Sequence, residues 1–207
     1  MIHRTPFFLP LVYPTLTWRM PLHDKALYLT FDDGPIPGPT EFVLETLKKY
    51  GAKATFFCIG ENIKKHPQVF KEIVKHGHAV GNHTFNHLNG WKTKTHDYHG
   101  NVTQCQDEIE AHSAPDYKLF RPPYGRISRE QIRLLSIYKI IMWTVLSIDY
   151  DKNLSSEKCL KNSIEATRPG SIIVFHDSYK AEKNLTFALP RFIEYYTNQG
   201  FTFKSID

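Results

Sequence analysis

Residues 28–35 read Tyr28-Leu29-Thr30-Phe31-Asp32-Asp33-Gly34-Pro35, and this stretch decides the fold. Its first half is apolar and strand-like. It then runs into two adjacent carboxylates and a Gly-Pro turn. Neighbouring side chains of a strand point to opposite faces, but at a frayed strand end both carboxylates can face one cavity. Two like charges that close are unfavourable unless a cation or a hydrogen-bond donor relieves them. Taken alone, Asp-Asp-Gly-Pro is equally an ordinary solvated turn. The rest of the chain separates the two readings.

Working outward, apolar strand-like segments alternate with helical patterns. Residues 26–31, 54–59, 78–81, 118–120, 140–145, 171–175 and 201–205 read as strands. Residues 40–50, 67–76, 102–111, 128–138, 155–166 and 186–199 read as helices. Val43, Leu44, Leu47 and Tyr50 recur at helical spacing, with Gly51 placed to end the first helix. Val69, Phe70, Ile73 and Val74 line the second, with Gly77 as its stop. Ser128 and Gln131 form a capping box, and residues 86–98 form a long polar loop. Strands alternating with helices imply parallel strands with right-handed crossovers. About seven such units close into a barrel or stay as an open doubly wound sheet, and periodicity does not choose between them. No Gly-x-Gly-x-x-Gly turn follows the first strand, which argues against a dinucleotide-binding sheet.

The chain has 207 residues, enough for one large domain with a proper core. Its 41% hydrophobic and 23% charged residues are those of an ordinary soluble protein. The net charge of +5 comes from scattered Lys and Arg. It fits solubility or weak attraction to an anionic polymer or membrane surface, and gives no nucleic-acid footprint. Cys58, Cys105 and Cys159 are far apart and read as buried free thiols. Residues 7–14 are apolar but short and broken by prolines, whereas a membrane span needs about 20 apolar residues. No signal-peptide cleavage pattern is evident. Residues 1–24 are therefore expected to pack on a domain spanning 25–207, with peripheral membrane contact as the competing reading. By default this places the chain in the cytoplasm or at a membrane periphery.

The polar residues fall in a pattern. Asp32 and Asp33 follow the first predicted strand, and His83-Thr84-Phe85-Asn86-His87 follows the third. Arg121-Pro122-Pro123-Tyr124-Gly125, Asp149 and His176-Asp177 follow the next three. In parallel α/β architectures these carboxyl ends share one face, where active sites are built. His83 and His87, four apart, can aim both imidazoles at one point, and with one carboxylate they make a three-ligand site with room for water. Two His and one acid is a common catalytic zinc set, also usable by other divalent metals. One Asp can bind the metal while the other serves as base for water, and hydrolysis also needs an acid for the leaving group. His176 suits that acid if a carboxylate such as Asp149 favours its protonated form. Arg121 could orient the base through a bidentate pair. Taken singly, His176 reads as a core histidine and Arg121 as a surface ion pair.

With these motifs in this order, the chain resembles the polysaccharide deacetylase family, the NodB-homology domain of carbohydrate esterase family 4. The resemblance rests on Thr30-Phe31-Asp32-Asp33-Gly34-Pro35, His83-Thr84-Phe85-Asn86-His87, Arg121-Pro122-Pro123-Tyr124, Asp149-Tyr150 and Val174-Phe175-His176. It implies a distorted (β/α) barrel of about seven parallel strands. It implies that Asp33, His83 and His87 hold the metal, that Asp32 is the base and that His176 is the acid. Arg121 would tether Asp32, Asp149 would pair with His176, and the Tyr124 backbone N–H would help stabilise the oxyanion. The metal would be zinc, with cobalt, nickel or manganese as substitutes. Two residues depart from the family pattern: Tyr150 stands where Trp is usual, and Val174 where Leu is usual. Both are expected to line the pocket around the acetyl methyl.

The expected activity is metal-dependent removal of N-acetyl groups from N-acetylglucosamine-type sugars of peptidoglycan, a chitin-like oligomer or another surface glycan, with release of acetate. A deformylase or other small-amide hydrolase of the same superfamily is the alternative, and a non-catalytic glycan-binding module is a second. The 87–98 loop could supply Trp91 and Tyr98 as a sugar platform, or Trp91 could simply pack the loop onto the barrel.

Overall fold

The structure is a computed structural model and describes residues 3–22 and 25–206. Of the expected N-terminal segment, residues 1, 2, 23 and 24 lie outside the described residues, as does residue 207.

A short helix, α1 (Leu9–Val12), precedes the first strand, β1 (Ala26–Asp32). There follow α2 (Pro39–Lys49), β2 (Ala54–Cys58), α3 (Gly60–Lys65), α4 (Pro67–Lys75) and β3 (Ala79–Asn82). Next come α5 (Thr95–Glu110), β4 (Leu119–Phe120), α6 (Arg129–Leu134), β5 (Lys139–Ile140) and β6 (Val145–Leu146). The chain closes with α7 (Ser156–Ala166), β7 (Ile172–His176), α8 (Glu182–Thr197) and β8 (Thr202–Phe203). Seven parallel strands run in the order β5-β4-β3-β2-β1-β7-β6, with β8 added beside β1. The sheet curls into a half-barrel of the expected α/β class. β1 is buried along its whole length because it is central and covered on both faces. Its Phe31 stacks on Phe56 at 5.0 Å and packs against Phe175 at 6.4 Å.

Among the described residues no ladder joins β5 to β6. There the N-terminal segment makes an isolated parallel bridge from Thr17 to Ile141 and an antiparallel one from Arg4 to Val145. Leu16 and Trp18 are buried beside Phe120 and Tyr98. Among the described residues no helix is long and apolar enough to cross a membrane.

Several elements differ from the sequence expectation for visible reasons. The strand expected over 140–145 is two strands with a break between them. At that break the carbonyls of Ile141 and Met142 turn to accept from Arg121, at 3.2 and 3.1 Å. α5 begins at Thr95, two turns before residue 102, because its first turns are polar and carry little apolar signal. α8 begins at Glu182 and runs through Pro190. The Ser128–Gln131 capping box forms as expected, at 2.9 and 3.1 Å, but α6 stops at Leu134.

Candidate active site

The carboxyl ends of the strands gather the polar motifs into one cavity of about 320 Å³. Asp32 is the last residue of β1 and lies in register with His176, the last residue of β7. Its Oδ1 accepts from Arg121 Nη1 at 2.7 Å. The arrangement is not the bidentate pair expected from the sequence. The same Nη1 also meets Thr30 Oγ1 at 2.7 Å, while Nε and Nη2 bind the two strand-break carbonyls. The guanidinium lies 4.1 Å from the centre of the Phe57 ring and is wholly buried. Burial works against the Asp32 carboxylate, but Arg121, His83 and His176 outweigh it and hold its pKa below the usual value.

Asp33, His83 and His87 form the cluster with metal-ligand chemistry, their ligating atoms all within 4.8 Å of one another. His87 Nε2 is 3.3 Å and His83 Nε2 is 3.9 Å from Asp33 Oδ1. The far side of each ring is occupied. His83 Nδ1 donates to the Arg121 carbonyl at 2.7 Å, and His87 Nδ1 meets the Tyr124 hydroxyl at 3.1 Å. The carbonyl contact makes His83 Nδ1 the donor and leaves its Nε2 lone pair toward Asp33, and the Tyr124 contact turns His87 Nε2 the same way, as outer partners orient metal-binding imidazoles. Burial lowers His87 and brings His83 down to about 4, so both rings are neutral at neutral pH, the form that ligates. The donor set therefore fits a divalent ion such as zinc.

His176 makes a second charged pair. Asp149 Oδ1 is 2.7 Å from His176 Nδ1, and Asp149 Oδ2 accepts the His176 backbone N–H at 2.8 Å. Burial disfavours the imidazolium, but Asp149, with smaller help from Asp33 and Asp32, raises it to about 9. Asn184 Nδ2 in turn donates to the Asp149 carbonyl at 2.9 Å.

Among the described residues, five non-glycine residues have positive φ: Asp33, Thr84, His87, Tyr124 and Ile148. All lie in the loops that build this cavity. Such backbone costs on the order of 1–3 kcal/mol per residue and persists where surrounding bonds over-determine it.

Tyr150 and Val174, the departures from the family pattern, both line the cavity. Tyr150 meets His176 edge-on at 4.9 Å. Trp91 is 65% exposed, and its indole N–H is tied to the Ile127 carbonyl at 3.1 Å. Tyr98 is fully buried and forms no platform, because α5 already runs through residue 98 and turns the ring into the core. The sequence reading did not single out Asn184, the Tyr124 hydroxyl, or Asn62, whose Nδ2 donates to the Asp33 carbonyl at 2.7 Å. Asp177, noted only as following His176, is fully buried, and its carboxyl is pushed up to about 8 by that burial. A second, more apolar cleft of about 310 Å³ lies against the N-terminal segment and shares Tyr124, Trp143 and Leu146 with the first.

The curled parallel half-barrel carries this cluster at its carboxyl face, and comparison with known proteins places the chain in a family. The family model described as polysaccharide deacetylase matches residues 19–140. A peptidoglycan-N-acetylglucosamine deacetylase of Bacillus cereus is 34% identical over 160 residues, covering 76% of this chain and 58% of its own length. The peptidoglycan-N-acetylmuramic acid deacetylase PdaA of Bacillus subtilis is 34% identical over 197 residues, covering 89% of this chain and 71% of its own. A crystal structure of a peptidoglycan N-acetylglucosamine deacetylase superposes with a TM-score of 0.89 at 30% identity, over 98% of this chain and 95% of that one. A CE4 family pseudoenzyme from Bacillus anthracis shares the fold as well, with a TM-score of 0.82 at 28% identity, over 91% of this chain and 66% of that one. The chain belongs to the polysaccharide deacetylase family, carbohydrate esterase family 4.

Proposed function

We propose that this protein is a metal-dependent deacetylase that removes N-acetyl groups from N-acetylglucosamine-type residues of peptidoglycan or a related glycan. One observation carries the reading. A carboxylate held ionised (Asp32), a histidine held protonated (His176) and a cluster of two neutral histidines with Asp33 all face one cavity. Relatives that act on peptidoglycan support the substrate class.

Asp33, His83 and His87 would hold the ion, most simply zinc. When bound, it would polarise the acetyl carbonyl and ease ionisation of water. Asp32, fixed by Arg121, takes the proton from the attacking water. The Tyr124 backbone N–H donates to the oxygen that becomes negative. His176, kept charged by Asp149, gives its proton to the amide nitrogen as the carbon–nitrogen bond breaks. Acetate and the free amino sugar leave.

Because the pseudoenzyme shares the fold, activity depends on the residues and not on the barrel. Here Asp32 and His176 are both present and both paired, which favours a working enzyme over a glycan-binding module. The test is acetate release from N-acetylglucosamine oligomers and peptidoglycan fragments by purified protein, with added zinc and with a chelator. Chelator-sensitive acetate supports the reading. Formate from an N-formyl sugar, with no acetate, would move it to the deformylase alternative. Binding without turnover would move it to the binding module.

A further inference from the structure

Asp177 follows the acid candidate His176 but takes no part in the scheme above. Its side chain reaches back to the turn that carries Asp33. Asp177 Oδ1 accepts the Gly34 N–H at 3.0 Å, and Oδ2 accepts from the Thr40 hydroxyl at 2.6 Å. The same Thr40 oxygen accepts the Ile36 N–H at 2.8 Å, so it too ties the turn to Asp177. The approach is so close that a Cβ on Gly34 would sit 2.0 Å from Asp177 Oδ2. The backbone N–H of Asp177 donates to the Asp32 carbonyl at 3.2 Å, which anchors the carboxyl to the end of β1. On the other side of the turn, Asn62 holds the Asp33 carbonyl, and the Ile59 N–H donates to the Gly34 carbonyl at 2.9 Å.

These bonds surround a residue in a costly conformation. Asp33 has φ of 83°, in the left-handed region that side chains other than glycine adopt at a penalty. That conformation sends its carboxylate toward His87 and His83 instead of into solvent. A relaxed turn would swing the carboxylate away from them.

We propose that Asp177 is a positioning residue of the metal site: its carboxyl clamps the 33–35 turn through Gly34 and Thr40 and presets Asp33 as a ligand. The proposal rests on the reading that Asp33, His83 and His87 hold a metal. It assigns a specific use to a buried acid that would otherwise be a structural oddity of the core.

The test is zinc titration of metal-free protein by calorimetry, with folding monitored by circular dichroism. Wild type and Asp33→Ala serve as references. Asp177→Ala is expected to weaken zinc about 10–100-fold, the usual range for losing an outer-shell partner. Thr40→Val should act in the same direction but less. Asp177→Asn keeps an oxygen for the Gly34 N–H and should recover much of the loss. A core carboxyl with a merely structural role would lower the melting temperature of the metal-free protein without changing zinc affinity in the folded fraction. Wild-type affinity in a folded Asp177→Ala variant therefore overturns the proposal. If that variant does not fold, wild-type affinity in both Asp177→Asn and Thr40→Val overturns it instead. Wild-type protein that binds no zinc, or an Asp33→Ala variant that binds it unchanged, would overturn the metal reading itself and the proposal with it.

Discussion

Arg121 donates to Asp32 at 2.7 Å from a position with no solvent exposure, and every other polar atom of its guanidinium group also has a protein partner. The pair joins the strand break after β5 to the end of β1, so one cation both ties these segments together and, in the proposed scheme, aims the base. Breaking a buried pair by removing one partner typically costs about 3–5 kcal/mol. Arg121→Met should therefore lower the melting temperature by about 10 °C in a domain of this size. It should also cut kcat by about 100-fold or more, as for loss of an oriented general base. Arg121→Lys should not rescue it, because an ammonium cannot reach Asp32, Thr30 and two carbonyls from one planar group. Differential scanning calorimetry and acetate-release kinetics read both effects, and a stable, active Arg121→Lys variant would refute the argument.

The ligand cluster makes a thermodynamic prediction that needs no substrate. An ion that binds only the folded state stabilises it by about 2.7 kcal/mol when present at 100 times its dissociation constant. Zinc should raise the melting temperature of wild-type protein, and a chelator should reverse the shift. His83→Ala, His87→Ala and Asp33→Ala should each abolish it, because each removes one of the three donors of the proposed site. An unchanged zinc-induced shift in all three variants would place the ion elsewhere.

In the proposed scheme the Asp149–His176 pair sets the alkaline limit of activity. A histidine raised to about 9 is a protonated acid at neutral pH, and that form is lost as pH rises through about 9. Asp32 is lowered, so its ionised form survives to acidic pH. Activity should thus hold across neutral pH and fall on the alkaline side. In Asp149→Asn the alkaline limb should move toward the ordinary histidine value of 6.5, with a lower plateau. The pH profile of kcat/KM checks this, and an unmoved alkaline limb would show that His176 is not the titrating acid.

Much of this site was legible before the structure because each chemical motif is local and sits directly after an apolar strand. The Thr30–Pro35 run, the His83/His87 spacing and the residues from Arg121 to Tyr124 carry strong signals of type and order. Their supports do not. Asn62, Asn184, Thr40 and Asp177 are ordinary polar residues without diagnostic spacing, and their partners lie 29, 35, 4 and 143 positions away. The break in the strand after Ile140 was hidden because an apolar run records burial, not pairing. Tyr98 looked like a loop aromatic because the polar first turns of α5 conceal the helix that buries it.

Tyr124 separates two functions of one residue. Its backbone N–H is the oxyanion donor in the scheme, whereas its hydroxyl meets His87 Nδ1 at 3.1 Å. Tyr124→Phe keeps the first and removes the second. It should weaken zinc about tenfold, as for loss of a second-shell partner, and leave kcat at saturating zinc within a few-fold of wild type. A large kcat loss with unaltered zinc affinity would assign the hydroxyl to the reaction itself.

The residues at positions 150 and 174 bear on which acyl group fits. Tyr150 and Val174 both line the cavity, and each is smaller than the Trp or Leu usual in the family. Less side-chain volume near the acyl methyl leaves room for one more carbon. A single methylene in an apolar pocket is worth about 1–3 kcal/mol of discrimination, or roughly 10–200-fold. Wild type should therefore release propionate from N-propionylglucosamine oligomers at a rate within about tenfold of acetate from the N-acetyl compounds. The double variant Tyr150→Trp, Val174→Leu should lose propionate release while keeping acetate release. Tyr150 touches His176 through its ring edge at 4.9 Å, so the alkaline limb of the variant must be measured as well. Equal loss of both acyl groups with a shifted limb would mean that position 150 tunes the acid; selective loss of propionate with an unshifted limb would mean that it shapes the pocket.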